Sequence, residues 1–166
     1  MKDNKAGYVV QAAMIAAIYV VLVIIFNYWS YGVIQFRIAE ALTILPYFTP
    51  AAIPGLFVGC FIANLMGGAV VADLIFGSLA TLIGAAGSYL IGKYVPKKAG
   101  KWMVGIPPII ANMLIIPFVL KWGYGMPEGI PYMMFTIGVS EFIVCGIIGE
   151  VLLAVLEKYR GILFRR

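Results

Sequence analysis

The chain has 166 residues, of which 63% are hydrophobic and only 11% are charged, and its mean hydropathy is +1.02. A soluble domain carries about 45–50% apolar and about 25% charged residues, so this composition excludes a water-soluble fold. A β-barrel is disfavoured because its strands alternate apolar and polar residues, whereas the apolar runs here are unbroken. The sequence predicts an all-α integral membrane protein with six transmembrane helices in one domain, residues 1–166.

Composition also removes several chemistries. The sequence contains no histidine, which excludes histidine metal ligands and histidine acid–base catalysis. Cys60 and Cys145 lie within apolar runs, and we interpret them as packing residues that form no disulfide. The net charge of +5 indicates membrane topology rather than nucleic-acid binding. We therefore predict no metal, no cofactor and no enzymatic activity.

Two apolar segments open the chain. Residues 8–26 form a run that is too long for the core of a signal peptide, so we interpret it as a permanent helix. An aromatic belt with Trp29 and Tyr31 follows it. Residues 33–48 form a shorter segment with two charged side chains, and hydropathy alone leaves open whether it spans the membrane or lies at its interface.

Four further helices are predicted at residues 50–66, 72–94, 102–120 and 132–158, with polar loops at residues 96–101 and 121–131. Prolines within residues 102–120 are compatible with a transmembrane helix when its neighbours satisfy the freed backbone groups. Residues 87–94, GSYLIGKY, approach the P-loop pattern, but Tyr94 replaces the hydroxyl residue that contacts magnesium. An ATPase that drives transport is therefore expected on another chain.

Basic residues are distributed very unevenly over the predicted loops. If all six segments cross, ten basic residues share one side: Lys2, Lys5, Lys93, Lys97, Lys98, Lys101, Lys158, Arg160, Arg165 and Arg166. The opposite loops carry Lys121 alone. Because basic residues mark the cytoplasmic side, this asymmetry predicts six crossings of the cell membrane with both termini in the cytoplasm.

Polar side chains inside the predicted helices mark candidate functional positions because they are costly in lipid. In the six-helix topology, six of them converge on the outer half of the bundle: Arg37, Glu40, Asn64, Asp73, Asn112 and Glu141. At a rise of 1.5 Å per residue, Asn112 and Glu141 lie about 13 Å below the outer surface. We interpret these six residues as a substrate-binding set.

A structural interpretation stands beside the functional one at several of these positions. Arg37 and Glu40 lie on one helix face at i, i+3 spacing, so they can form an ion pair that only sets helix packing. Asn112 can instead bond to a neighbouring helix, and Asp73 is near enough to the interface for simple solvation. Glu141 has no cation within four residues on its own helix, and we expect it to contact the ligand.

Two further patterns are candidates for binding. Aromatic residues at the outer boundaries are typical of interfacial anchors, but Trp122, in a glycine-bounded loop, is a candidate for stacking on a flat ligand. Small residues repeat at a spacing of four on the first helix as Ala12/Ala16 and Ala13/Ala17. Such faces let helices approach closely in lipid, either inside the bundle or against a partner.

Residues 35–80 contain the distinctive runs QFRIAEALTILPYFTPAAIPGLFVGCFIANLMGG and ADLIFGSLA. This stretch is similar to the QueT family of queuosine-precursor transporters, and the resemblance extends over most of the chain. The family belongs to the substrate-binding S components of energy-coupling factor (ECF) transporters. The resemblance implies six helices, an outward pocket, and docking on a membrane scaffold subunit that carries two ATPases. The four alanines match in position an alanine-x-x-x-alanine face that contacts the scaffold in S components.

The substrate implied by this resemblance is a 7-deazaguanine such as preQ0 or preQ1, or queuine. A guanine-like edge offers adjacent N–H donors to one carboxylate, and an aminomethyl cation suits a second carboxylate. Glu141, Asn112 and Trp122 are candidates for the ring, with Asp73 or Glu40 near the cation.

Other functions remain open from the sequence. An S component for another vitamin would keep the architecture and change the ligand. A stand-alone secondary transporter would use Glu141 or Asp73 as a proton relay, and such transporters often show an internal repeat, which is not evident here. An intramembrane enzyme is the weakest interpretation because no nucleophile–base or metal constellation is present.

Overall fold

The computed structural model describes residues 3–26 and 35–160. These residues form seven helices and no strand: α1 Asp3–Ile25, α2 Ile38–Tyr47, α3 Ala52–Met66, α4 Asp73–Tyr94, α5 Lys97–Met103, α6 Ile106–Phe118 and α7 Ile130–Lys158. A π-helical turn, Val119–Gly123, extends α6. The predicted belt residues Trp29 and Tyr31, and the basic residues Lys2, Arg165 and Arg166, lie outside the described part of the chain.

Four segments are long and apolar enough to cross a bilayer: Lys5–Ile25, Asp73–Tyr94, Ala99–Gly123 and Ile130–Lys158. A multi-pass membrane protein follows from these spans. The segments Ile38–Tyr47 and Ala52–Met66 are shorter apolar helices. Four of the six predicted crossings are therefore long enough to span a bilayer. The second and third helices are shorter than that length.

The second segment differs from the expected α-helix because it is a 3₁₀-helix of 10 residues. A 3₁₀-helix rises about 2.0 Å per residue against 1.5 Å for an α-helix, so ten residues extend about 20 Å. The helix is enclosed on all sides, with every residue from Ala39 to Thr49 buried. Such long 3₁₀-helices are uncommon, and this one is supported by its neighbours rather than by its own hydrogen bonds.

Glycines on α4 and α7 allow this close enclosure. A Cβ on Gly92 would lie 3.1 Å from the Tyr47 Cα, and one on Gly149 would lie 3.2 Å from the Ile44 Cγ2. The side chains of α1, α2 and α3 share one core with Leu153 of α7. The 3₁₀-helix is consequently the central element around which the long helices pack.

Polarity increases toward the inside of the bundle. Large apolar side chains such as Ile25, Val71 and Phe135 are more than half exposed, as expected for side chains that face lipid tails. The carboxyl groups of Asp73 on α4 and Glu141 on α7, by contrast, are buried. This arrangement reverses that of a soluble protein and places the polar chemistry of the chain at its centre.

The two alanine pairs of α1 have the same spacing in the sequence but different surroundings: Ala12 and Ala16 face α3, and Ala13 and Ala17 do not. A Cβ on Gly55 would lie 2.6 Å from the Ala12 carbonyl oxygen, and one on Gly59 would lie 3.0 Å from the Ala16 Cα. Ala12 and Ala16 therefore pack against α3, and a role of the four alanines in docking stays a prediction. Ala13 and Ala17 are exposed, because a step of one residue turns about 100° around a helix.

π-helical turns interrupt the long helices at three places: Asp73–Gly77 at the start of α4, Val119–Gly123 after α6, and Phe142–Ile148 within α7. Single π-turns inside α-helices occur frequently at functional sites. Two of these turns begin at Asp73 or directly after Glu141, which the sequence had singled out. The third precedes Tyr124, which contacts Asp73.

Candidate functional site

Glu40 is the central acidic group of the buried cluster. Its side chain is fully buried, and its Oε1 accepts hydrogen bonds from the hydroxyl of Tyr19 on α1 and from the Thr81 hydroxyl on α4 at 2.9 Å. Its Oε2 has no hydrogen-bond partner among the described residues. Donors on two helices, α1 and α4, therefore hold one oxygen of this carboxyl group, and the other oxygen stays available as an acceptor.

Glu141 of α7 is linked to this region through Cys145. The Cys145 thiol lies 3.2 Å from Glu141 Oε2 and 3.4 Å from the Glu40 carbonyl oxygen. Glu141 and Glu40 also interact electrostatically, which places them in one cluster. The amide of Asn112 on α6 interacts with the Glu141 carboxyl group, but within the described part of the chain its Nδ2 makes no hydrogen bond of full geometry. The cluster thus offers both an acceptor and a donor that await a partner.

A second group of contacts lies where α4 begins. Arg37 Nη2 forms an ion pair with Asp73 Oδ2 at 2.9 Å, and both side chains are buried. The Tyr124 hydroxyl donates to the same oxygen at 3.0 Å, and Asn64 Nδ2 donates to the Asp73 carbonyl at 3.1 Å. Asp73 therefore joins the start of α2, the end of α3 and the loop that follows α6.

Tyr124 is held as a hydrogen-bond donor in this group. Burial, together with the charge and hydrogen bond of Asp73, raises the pKa of Tyr124 to about 12. Its hydroxyl consequently stays protonated at physiological pH and keeps donating to the carboxylate. The loop that carries it packs against residues 70–72, since a Cβ on Gly123 would lie 3.1 Å from Val70 Cγ2 and 3.2 Å from Ala72 Cβ.

Gly77 makes room for the acidic group of Asp73. A Cβ at this position would collide with Asp73 Oδ1 and would lie 3.2 Å from Asn64 Nδ2. The side chain of Asp73 therefore folds over the π-turn Asp73–Gly77, with Oδ1 against the glycine and Oδ2 toward Arg37. A larger residue at position 77 is incompatible with this arrangement.

Six of the predicted site residues are buried and lie in these contacts: Arg37, Glu40, Asn64, Asp73, Asn112 and Glu141. The sequence allowed an ion pair between Arg37 and Glu40 at i, i+3 spacing, and this choice of partner for Arg37 is wrong. Arg37 precedes the 3₁₀-helix as its N-cap, and its ion pair is with Asp73. Trp122 lies elsewhere, since it is 74% exposed and stacks on Phe118 with ring centroids 5.3 Å apart.

Sequence reasoning missed several polar members of the cluster: Tyr19, Thr81, Cys145 and Thr43, whose hydroxyl lies 3.6 Å from the Cys145 Sγ. Each lies within an apolar run, where a single hydroxyl or thiol changes the hydropathy little. Tyr19 is the exception that carried a signal, because a tyrosine in the middle of a spanning helix, away from the interfacial belts, needs a hydrogen-bond partner when it is buried. The Cys145 thiol contacts the Glu141 carboxyl group and the Glu40 backbone carbonyl, so its role is not limited to apolar packing.

Comparison with known proteins places most of the chain in one family. The family model described as the QueT transporter matches residues 9–158. The chain belongs to the QueT transporter family. The match covers all the described residues of the cluster, and the family is described as one of transporters.

A curated relative of this QueT family member is the "Queuosine precursor transporter QueT" of Lactococcus lactis subsp. cremoris (strain MG1363). It is 38% identical over 85 residues, which are 50% of this chain and 50% of the relative. The chain therefore spans about half the length of the curated relative that it matches. No solved structure matches the chain at a significant level.

Proposed function

We propose that this protein is the S component of an ECF transporter and binds a queuosine precursor of the 7-deazaguanine class. Family membership supports transport, and the name of the Lactococcus relative supports a queuosine precursor. The proposal includes six crossings with both ends in the cytoplasm, which the asymmetry of the basic residues supports. Under this topology the buried cluster belongs to the outer half of the bundle.

The observation that carries the proposal is the pairing of unsatisfied groups in the cluster. Glu40 Oε2 is a buried acceptor without a hydrogen-bond partner among the described residues. The Asn112 amide is a buried donor that interacts with the Glu141 carboxyl group but makes no hydrogen bond of full geometry with a described residue. Buried polar groups are normally hydrogen-bonded, so two such groups that both interact with Glu141 favour a ligand with complementary atoms. A guanine-like edge has a carbonyl acceptor beside adjacent N–H donors, and these suit an amide donor and a carboxylate.

The binding experiment is isothermal titration calorimetry on the purified protein in detergent, with preQ0, preQ1 and queuine as ligands. Replacing Glu141 by Gln substitutes a donor for one acceptor oxygen, which opposes a ligand N–H. We expect Glu141→Gln to weaken binding at least tenfold, or about 1.4 kcal/mol, while the protein stays monodisperse. Glu150→Gln, nine residues further along α7, is the matched control and should bind nearly normally.

Two results of this experiment would overturn the proposed ligand site. If none of the three compounds binds, but another vitamin does, the ligand class is wrong and the architecture stands. If Glu150→Gln abolishes binding and Glu141→Gln does not, the ligand occupies the opposite end of the bundle.

The proposed partners are a membrane scaffold subunit and two ATPase subunits, with no nucleic acid. α1 presents the small residues Ala13 and Ala17 on an exposed face, which supports close approach by a partner helix in lipid. Of the four alanines, these two remain available for docking, because Ala12 and Ala16 pack against α3.

A stand-alone proton-coupled transporter is the second candidate. The observation that favours it is the pair Glu40 and Glu141, two buried acidic residues in the bundle of the kind that relay protons in transporters. Uptake in cells that lack the scaffold and ATPases distinguishes the two functions. Uptake that persists there and collapses with the proton gradient would exclude the S-component proposal.

A further inference from the structure

One end of the bundle is assembled from three helix ends. α4 ends at Tyr94, and the short helix α5, Lys97–Met103, follows it. α7 ends at Lys158 beside them, because Lys101 Nζ lies 3.7 Å from Glu157 Oε1. Since α4 and α7 are long and apolar enough to span a bilayer, their ends lie at the level of the lipid headgroups.

We call residues 93–101 and 157–160 the basic end, because six basic residues and one acidic residue lie there: Lys93, Lys97, Lys98, Lys101, Lys158, Arg160 and Glu157. Two of the cations share the one carboxylate, with Lys101 Nζ at 3.7 Å and Arg160 Nη1 at 3.8 Å from Glu157 Oε1. The side chains of both cations stay more than a third exposed. One carboxylate therefore balances only part of the positive charge, and the surplus lies at the headgroup level.

Exposed aromatic rings lie among these cations. Trp102 is 78% exposed, and Tyr94 is also largely exposed. Lys93 Nζ lies 5.1 Å from the centroid of the Tyr94 ring, and the Arg160 guanidinium carbon lies 5.8 Å from the centroid of the Phe48 ring. Tryptophan and tyrosine settle at the headgroup level because their rings are amphipathic. The rings thus hold the basic end at the depth where lipid phosphate groups lie.

The other end of the same span differs in charge although its tryptophan is equally exposed. Trp122, near the end of the span Ala99–Gly123, is 74% exposed. Its neighbour Lys121 donates to three backbone carbonyls of the following loop, each at 3.2 Å. Lys93 and Lys158, by contrast, are exposed and form no ion pair with a described residue. Surplus positive charge and an exposed tryptophan therefore coincide at the basic end and not at Trp122.

We propose that the basic end binds the headgroups of anionic phospholipids, with Lys101 and Arg160 receiving the phosphate and Trp102 lying beside them at the headgroup level. A phosphate diester carries a negative charge and acceptor oxygens, which suit an ammonium and a guanidinium group held side by side. Clusters of about four to eight basic residues next to a membrane span attract anionic lipids. The inference depends neither on the transported substrate nor on the scaffold and ATPase subunits.

The test measures tryptophan fluorescence of the full-length protein in vesicles of equal parts phosphatidylglycerol and phosphatidylcholine. The sequence has three tryptophans, so replacing two of them by Phe leaves one reporter, either Trp102 or Trp122. Bromine on the acyl chains of one lipid at a time quenches a tryptophan that this lipid contacts. We expect quenching at Trp102 to show a preference of about threefold or more for phosphatidylglycerol, since a basic surface attracts anionic lipid. Quenching at the matched reporter Trp122 should show no preference.

Charge removal and salt test the electrostatic origin of this preference. Lys101→Gln combined with Arg160→Gln should abolish it at Trp102, and Lys121→Gln, the control at the opposite end of the span, should leave it unchanged. Raising the salt to about 1 M, where the Debye length is about 3 Å, should weaken it as well. The ion pairs that are lost lie at the surface and contribute little to folding, and thermal unfolding in detergent checks that both variants stay folded.

Each outcome decides the proposal. Equal preference at the two tryptophans, or none at Trp102, overturns it and leaves the basic residues with a role in topology alone. A preference at Trp102 that survives both the double substitution and high salt also overturns it, because the contact is then not electrostatic. Loss of scaffold co-purification in the double variant, without any lipid preference at Trp102, assigns the basic end to a protein partner instead. The comparison of Trp102 with Trp122 keeps every basic residue, so the test stands even if the double variant does not fold.

Discussion

Arg37 and Asp73 form a buried ion pair across two elements, with Nη2 and Oδ2 2.9 Å apart and both side chains at most 6% exposed. Arg37 immediately precedes the central 3₁₀-helix, and Asp73 opens the π-turn that starts α4. The ion pair therefore links the start of the buried 3₁₀-helix α2 to the start of α4. Tyr124 adds a third element to the same carboxylate oxygen.

Asp73→Asn should destabilise the protein strongly, because it leaves the guanidinium of Arg37 buried without its counter-charge. Breaking a buried ion pair by removing one partner costs about 3–5 kcal/mol. Unfolding of the purified protein by denaturant in detergent measures the effect. Glu157→Gln is the matched control, since Glu157 pairs with Lys101 and Arg160 at 3.7 and 3.8 Å on the surface, and it should cost about 0–1 kcal/mol. Equal effects of the two variants would contradict the role of the buried pair.

Gly77→Ala should disturb the cluster although it adds a single methyl group. The new Cβ would collide with Asp73 Oδ1, so the carboxyl group must move away from Arg37 or the helices must separate. Overpacking of this kind costs about 1–3 kcal/mol, and we expect ligand affinity to fall as well. Gly7→Ala is the control because a Cβ there meets nothing within 4 Å. Wild-type stability and affinity in Gly77→Ala would contradict the close packing of the Asp73 carboxyl group against Gly77.

Tyr19→Phe tests the link between α1 and the central acidic group. The substitution removes the hydroxyl that donates to Glu40 Oε1, and loss of one partner of a buried hydrogen bond costs about 1–3 kcal/mol. Tyr8→Phe is the matched control, since the Tyr8 hydroxyl donates to the Pro50 carbonyl at an exposed position and surface changes usually stay within about 0.5 kcal/mol. Thermal unfolding in detergent should separate the two variants, and a neutral Tyr19→Phe would show that Thr81 alone satisfies Glu40.

The two alanine faces of α1 should respond differently to a bulky side chain. Ala16→Phe is expected to destabilise the protein, because Ala16 packs directly against Gly59. Ala13→Phe lies on the exposed face, and it should leave folding and ligand binding intact while weakening co-purification with the scaffold and transport. Binding and co-purification are measured on the same detergent preparation. Normal transport by Ala13→Phe and Ala17→Phe would show that another surface docks.

Topology is open to a direct labelling test. Both native cysteines are buried, so an impermeant thiol reagent should leave the unsubstituted protein unlabelled in intact cells. Cysteine at Gly125, an exposed loop position, should react from outside if the charge asymmetry reports orientation. Cysteine at Ala99, also exposed, should react only after the cells are opened. Labelling of Ala99→Cys in intact cells would reverse the proposed orientation.

Much of the architecture was accessible from composition and spacing. Hydropathy predicted the long apolar helices because lipid contact requires continuous apolar runs. The cost of polar groups in lipid marked Glu40, Asp73, Asn112 and Glu141 as candidate functional positions, and the structure shows that all four are buried. The family resemblance, drawn from residues 35–80, is confirmed by the match to the QueT family model.

Only the tertiary structure decided which groups meet. Arg37 pairs with Asp73 rather than with Glu40, because the predicted α-helix is a 3₁₀-helix that begins after Arg37. The two alanine pairs of α1 share one spacing, and contact with the glycines of α3 alone separates Ala16 from Ala13. A sequence fixes the side chains that each helix presents at each turn. The rotation and approach of neighbouring helices, which depend on packing across the whole bundle, decide which of those side chains become partners.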